Sequence, residues 1–77
     1  FSKQDRIEEA IKHYLKALKI KPDYEKAHNN MAISLARIGN IKMAIVHFRK
    51  ALDINPDFVA AKNNLKKVLM LNNKRSD

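Results

Sequence analysis

The chain has no cysteine and no tryptophan, and only one glycine and two prolines in 77 residues. Without cysteine there are no disulfides, zinc–thiolate sites or thiol nucleophiles, and the redox compartment stays open. The uninterrupted apolar runs are only a few residues long, so nothing in the sequence reads as a signal peptide or a membrane span, and no membrane insertion by this segment is expected. Scarce glycine and proline among many Ala, Leu, Ile and Lys favour an all-helical chain with about three sharp breaks. A chain of this size buries only about 60 to 65% of its unfolded surface, which implies modest stability and leaves little room for a deep active site.

What is present is a sentence of thirty-four residues written twice. Aligning residues 5–31 on residues 39–65 gives thirteen identities in twenty-seven pairs, among them Ala10/Ala44, Ile11/Ile45, His13/His47, Ala17/Ala51, Pro22/Pro56 and Asn30/Asn64. Tyr14/Phe48, Tyr24/Phe58 and Met31/Leu65 conserve shape in the same frame. A fixed period of this length marks a stacked helical array.

The breaks fall where that period needs them. Ile7, Ala10, Ile11, Tyr14, Ala17 and Leu18 recur at steps of three and four with Lys12, Lys16 and Lys19 opposite, so residues 6–20 form an amphipathic helix. Asp5 and Glu8 are placed to form its capping box. Pro22 ends it, and Asp23 is the expected cap of a second helix over residues 24–38. Gly39 closes that helix, because only glycine enters the left-handed conformation without strain. A third helix follows over residues 41–54. Pro56 and Asp57 repeat the punctuation before a fourth over residues 58–71, and the polar tail from Asn72 to Asp77 is expected to fray.

The run Asn-Asn-Met-Ala-(x6)-Gly-(x4)-Ala-(x3)-Phe-(x2)-Ala-(x4)-Pro, from Asn29 to Pro56, resembles the tetratricopeptide repeat family over nearly the whole chain. The family's tryptophan near the start of the first helix is replaced by His28 and Lys62. The resemblance implies antiparallel helix-turn-helix units stacked as a short right-handed solenoid of four helices. Residues 1–24 are then a truncated repeat, 25–58 a complete one, and 59–77 a capping helix with its tail. Small Ala32 and Ala44 are expected at one close helix contact, with Leu35, Ile45 and Phe48 filling the space around it.

The ends carry their own expectations. Phe1 stands in register with Leu35 and Leu69, so Phe1, Ser2 and Lys3 read as the last turn of a preceding helix. Lys66 occupies the place of Ala32, which suits a helix with no following partner. Exposed repeat ends would allow a homo-oligomer, by end-to-end stacking or helix exchange.

Formal net charge is +8, yet basic residues lie in all four helices with Glu8, Glu9, Glu25, Asp53 and Asp57 among them. The charge reads as a solvated surface that steers acidic partners. Lys62, Lys66, Lys67, Lys74 and Arg75 are the one local concentration. No aromatic–basic interleaving accompanies them, so nucleic-acid binding is the weakest reading.

No catalytic, metal or cofactor site is expected. His13 and His47 sit one period apart, on what the pattern makes equivalent outer positions of two helices, with no carboxylate or third histidine spaced to complete a ligand set. His28, Tyr14, Phe48, Tyr24 and Phe58 read as packing residues.

The function that remains is recognition. In the family this chain resembles, the first helices of successive repeats line a concave groove in which an asparagine can hold an extended peptide. Asn30 and Asn64 match that position, and an amide offers both a donor and an acceptor to a peptide unit. By helical spacing their neighbours are Lys26, Asn29, Ile33 and Arg37 on one helix and Asn63, Lys67 and Leu71 on the next. The expected partner is a protein or peptide, with acidic side chains favoured. The alternative is a structural spacer or self-association element, in which the asparagines only bond across helices.

Overall fold

The computed structural model describes residues 2–75, with side chains through residue 73. Among them are four helices and no strand: α1 (Lys3–Ile20), α2 (Glu25–Arg37), α3 (Ile41–Ile54) and α4 (Val59–Arg75). The helices form a slab of 38 × 35 × 15 Å. Its thin dimension matches two layers of helices about 9 to 10 Å apart. The middle helices α2 and α3 share the most extensive contact; α1 lies against α2, α4 lies against α3, and α2 meets α4 over a small area.

The turns show the period at the level of single backbone bonds. Lys21 N–H donates to Ala17 O, Tyr24 to Lys21 and His28 to Tyr24; thirty-four residues later Asn55 donates to Ala51, Phe58 to Asn55 and Lys62 to Phe58. Proline at residues 22 and 56 ends each helix, since it cannot donate the next bond. The α2–α3 turn is a Schellman motif, with Asn40 N–H bonded to Leu35 O and Gly39 N–H to Ala36 O. Gly39 has φ +86°, and a Cβ added there would meet nothing within 4 Å. Conformation therefore demands the glycine, and crowding does not. Asn40 then caps α3, its Oδ1 accepting from Met43 N–H at 3.3 Å.

Several expected boundaries shift. The capping box of α1 joins Ser2 to Asp5, with bonds of 3.1 and 3.3 Å, and does not use Glu8. The Ser2 hydroxyl accepts from the Asp5 amide while the Asp5 carboxylate accepts from the Ser2 amide, so two orphan donors are satisfied one turn earlier and the helix gains its first turn. Ser2 is extended and Lys3 opens α1, so neither ends a preceding helix; Phe1 lies outside the described residues. Asp23 does not cap α2. Tyr24 is its N-cap and supplies no side-chain bond, the Tyr24 and Lys21 backbone groups closing the turn instead. Helix α4 continues to Arg75, so residues 72–75 are helical where fraying was expected; Ser76 and Asp77 lie outside the described residues. No proline or glycine interrupts that stretch, and Asn and Lys are tolerated in an exposed helix end.

The core is one cluster running through α2, α3 and α4. Ala32, Ala44, Ala51 and Ala61 are wholly buried, and Phe48 is the largest side chain with almost no exposure, at 1%. Ala32 and Ala44 thus meet the expectation of burial in one cluster, where methyl groups let helix backbones approach. Met31, Leu35, Ile41 and Val68 complete the buried set, and Ile11, Tyr14, Leu18, Ile33, Ile45 and Leu65 pack around it. Tyr24 was expected in the core and is exposed, with the Lys21 ammonium 5.5 Å from its ring centroid.

Candidate functional site

Helices α2 and α4 share a layer, and their facing sides carry the residues singled out for binding. A hollow of about 230 Å³ lies there, lined by Ile33, Ala36, Arg37, Phe48, Asn64, Lys67 and Val68. Four of the nine expected groove residues, Ile33, Arg37, Asn64 and Lys67, come together in it, and Leu71 is exposed away from it. Asn29 is buried at its side, and Asn64 Nδ2 donates to Asn29 Oδ1 at 3.4 Å. Lys26, Asn30 and Asn63 are exposed and do not line the hollow.

The two asparagines matched by the period are therefore not equivalent in space. Asn30 points to solvent, whereas Asn64 is half-buried and tied to Asn29, thirty-five residues away. That bond takes one donor hydrogen of Asn64, and an amide oxygen can accept from a further partner. Ala36, Phe48 and Val68 also line the hollow. Ala36 follows from Ile33 by helical spacing, but Phe48 reaches it from α3 behind, which no pattern on α2 or α4 reveals.

The charged lining residues of the hollow are Arg37 and Lys67, both cationic. Lys62 and Lys66 are exposed on the same helix as Lys67. The side chains of Lys74 and Arg75, the rest of the basic concentration, lie outside the described residues.

A second hollow, of about 560 Å³, opens on the other layer between α1 and α3. It is lined by Leu15, Leu18, Pro22, Asp23, His28, His47, Lys50, Asp53 and Ile54. At its base the rings of His28 and His47 meet edge to edge, their planes 21° apart, with centroids 5.3 Å apart and Nδ1 atoms 3.0 Å apart. His28 Nε2 lies 2.9 Å from Pro22 O. His47 is thus not the outer residue the repeat suggested. It is 7% exposed, while the side chain of His13 at the equivalent place in α1 is 69% exposed and sits 3.9 Å from Glu9 Oε1. Helix α3 has neighbours on both sides and α1 does not, which accounts for the difference. Burial, then the positive charge of His28, then that of Lys50 hold the His47 pKa down at about 4. His28 is buried, in keeping with the packing role expected of it, and its bond to His47 was invisible in the sequence because that partner lies on another helix.

Among the described residues no group of three or more His, Cys, Asp or Glu could hold a metal ion. No described helix is long and apolar enough to cross a membrane. The fold and the hollows define a helical repeat module that offers surfaces.

The comparisons give the family. A family model described as TPR repeat matches residues 1–39, just over half of the chain, and one described as tetratricopeptide repeat matches residues 25–58, from the start of α2 to the residue before α4. The chain belongs to the tetratricopeptide repeat family, whose repeats generally mediate protein–protein interactions and are typically non-catalytic. No curated protein matches it.

Proposed function

We propose that this chain is a non-catalytic interaction module that takes an extended peptide or partner segment along the face between α2 and α4, with acidic side chains favoured. The observation that carries the reading is the hollow between these helices, where Asn64 is steadied by Asn29 and the charged lining residues, Arg37 and Lys67, are both cationic. The amide of Asn64 binds a peptide unit without reading its side chain. Ile33 and Val68 supply apolar contact, and Arg37 and Lys67 pair with carboxylates. Lys26, Asn30 and Asn63 extend the contact along the exposed rims of the two helices.

Titration against an acidic peptide library tests this. Asn30→Ala and Asn64→Ala each weaken binding by about 1 to 2 kcal/mol with helicity unchanged, since each removes a bond to a peptide group that binding desolvates. Arg37→Glu and Lys67→Glu remove the preference for acidic peptides, and in the parent that preference fades with salt. An RNA oligomer run alongside separates the nucleic-acid reading. There, affinity would fall steeply with salt and charge reversal at Lys62 and Lys66 would outweigh either asparagine. If both asparagine variants bind every peptide as the parent does, the groove reading fails and the spacer reading replaces it.

A further inference from the structure

The buried histidine pair takes no part in the face between α2 and α4, and its hydrogen-bond arithmetic has one solution when neutral. A carbonyl only accepts, so the proton between His28 and Pro22 O sits on His28 Nε2. Neutral His28 then presents a lone pair at Nδ1. The 3.0 Å contact to His47 Nδ1 is a hydrogen bond only if His47 donates. His47 is therefore fixed as the Nδ1–H tautomer, the less common form of a free histidine side chain. Its Nε2 lone pair has no partner among the described residues, in a residue that lines the larger hollow.

The relay tolerates one added proton and no more. With a single extra proton, on either ring, one Nδ1 still donates and the other still accepts. With two, N–H faces N–H at 3.0 Å between two cations that burial has stripped of most of their water, and neither has an ion-pair partner among the described residues. The groups facing the pair follow from the lining of the hollow. Helix α1 contributes Leu15 and Leu18, which do not titrate; the α1–α2 turn contributes Asp23; α3 contributes Lys50 and Asp53. The Lys50 ammonium opposes protonation of His47.

The relay joins three pieces of chain: the proline turn after α1, the first turn of α2, and the middle of α3. We propose that Pro22, His28 and His47 form a proton-operated joint, which clamps the end of one repeat to both helices of the next while it carries at most one proton and releases them when a second arrives. The device belongs to this junction. At the corresponding places one period away stand Lys62 for His28 and the exposed His13 for His47.

The sign of the effect follows from the depressed His47 pKa. Between the unfolded value near 6.5 and the folded value of about 4, the unfolded chain binds more protons. Stability therefore rises with pH across that window and is lost as pH falls through it, by on the order of 100-fold in the folding constant.

The test is long-range proton–nitrogen spectroscopy of the imidazoles in the intact chain from pH 7.5 to 3.5, with His13 as the exposed reference. The expected result is His28 as Nε2–H and His47 as Nδ1–H at neutral pH. On acidification the amides of Asp23 and Tyr24 should shift in step with the His47 ring. His47→Phe fills the same space without titrating, so subtracting its pH–stability curve from that of the parent removes the common contributions of the carboxylates and of net charge. Finding His47 as Nε2–H at neutral pH overturns the proposal, as does a His47 titration that leaves the turn amides still. The tautomer measurement uses only the parent chain and decides the matter even if the Phe variant does not fold.

Discussion

Helices α1 and α3 are copies of one sequence pattern placed in different surroundings. Ala10, Ile11, Tyr14, Ala17 and Leu18 stand where Ala44, Ile45, Phe48, Ala51 and Leu52 recur. Yet no residue of α1 is buried, while α3 buries Ile41, Ala44, His47, Phe48 and Ala51. Helix α3 lies between α2 and α4, and α1 packs along α2. In a stacked array each unit gains its burial from its neighbours, so the same side chain contributes differently according to its place in the stack. The histidines make the same point: His47 is sealed in a hydrogen-bonded pair, and His13 stands in solvent beside a glutamate.

The sharpest way to break the comparison is to truncate the matched aromatics. Phe48→Ala is expected to cost about 3 to 5 kcal/mol, transfer and cavity together. That is a large part of the roughly 4 to 12 kcal/mol available to a chain this size. Tyr14→Ala, at a half-buried site that relaxes into solvent, is expected to cost about 1 to 2 kcal/mol. Urea denaturation of both variants gives the two numbers. Equal costs would mean that α1 is as firmly built into the fold as α3.

Overfilling the matched alanines should separate the helices less strongly but in the same direction. Ala44→Leu forces a bulky side chain into a contact with no exposed surface, at about 1 to 3 kcal/mol. Ala10→Leu enlarges a half-buried position and should stay within about 0.5 kcal/mol of the parent. Thermal melts suffice, and a destabilised Ala10 variant would show that α1 has a closer neighbour than α2 alone.

The smallest effects should ignore the difference altogether. Ser2→Ala and Asn40→Ala each remove one N-cap bond, worth about 1 kcal/mol. Both caps are exposed and satisfied within three residues, so position in the stack should not matter. Amide exchange in the first turn of each helix measures them separately. A cap at α3 worth several times the one at α1 would mean that burial reaches even these local bonds.

What proved legible in the sequence was local or periodic. The Gly39 turn, the bounds of α3, both proline stops and the burial of Ala32 and Ala44 follow from short-range patterns repeated in register. The misplaced caps were local as well. Ser2 caps α1 because Asp5 stands at N3 to complete a reciprocal box with it, and the Tyr24 turn closes through backbone groups that propensity does not register. Of the residues lining the hollow, the family match gave Asn64 and helical spacing gave Ile33, Arg37 and Lys67, but neither gave Phe48, which belongs to a different helix.

The sequence by itself determined four helices, their turns and a stacking period, because caps, breakers and apolar spacing act within one or two turns of chain. Only the tertiary structure decided which copy of the pattern is buried, that Asn64 bonds to Asn29 with Asn30 left in solvent, and that His28 meets His47. Those partners lie thirty-five and nineteen residues apart. Such pairings are set by the distance and angle at which helices pack, and the repeat makes equivalent positions look alike in sequence while the stack gives them different neighbours.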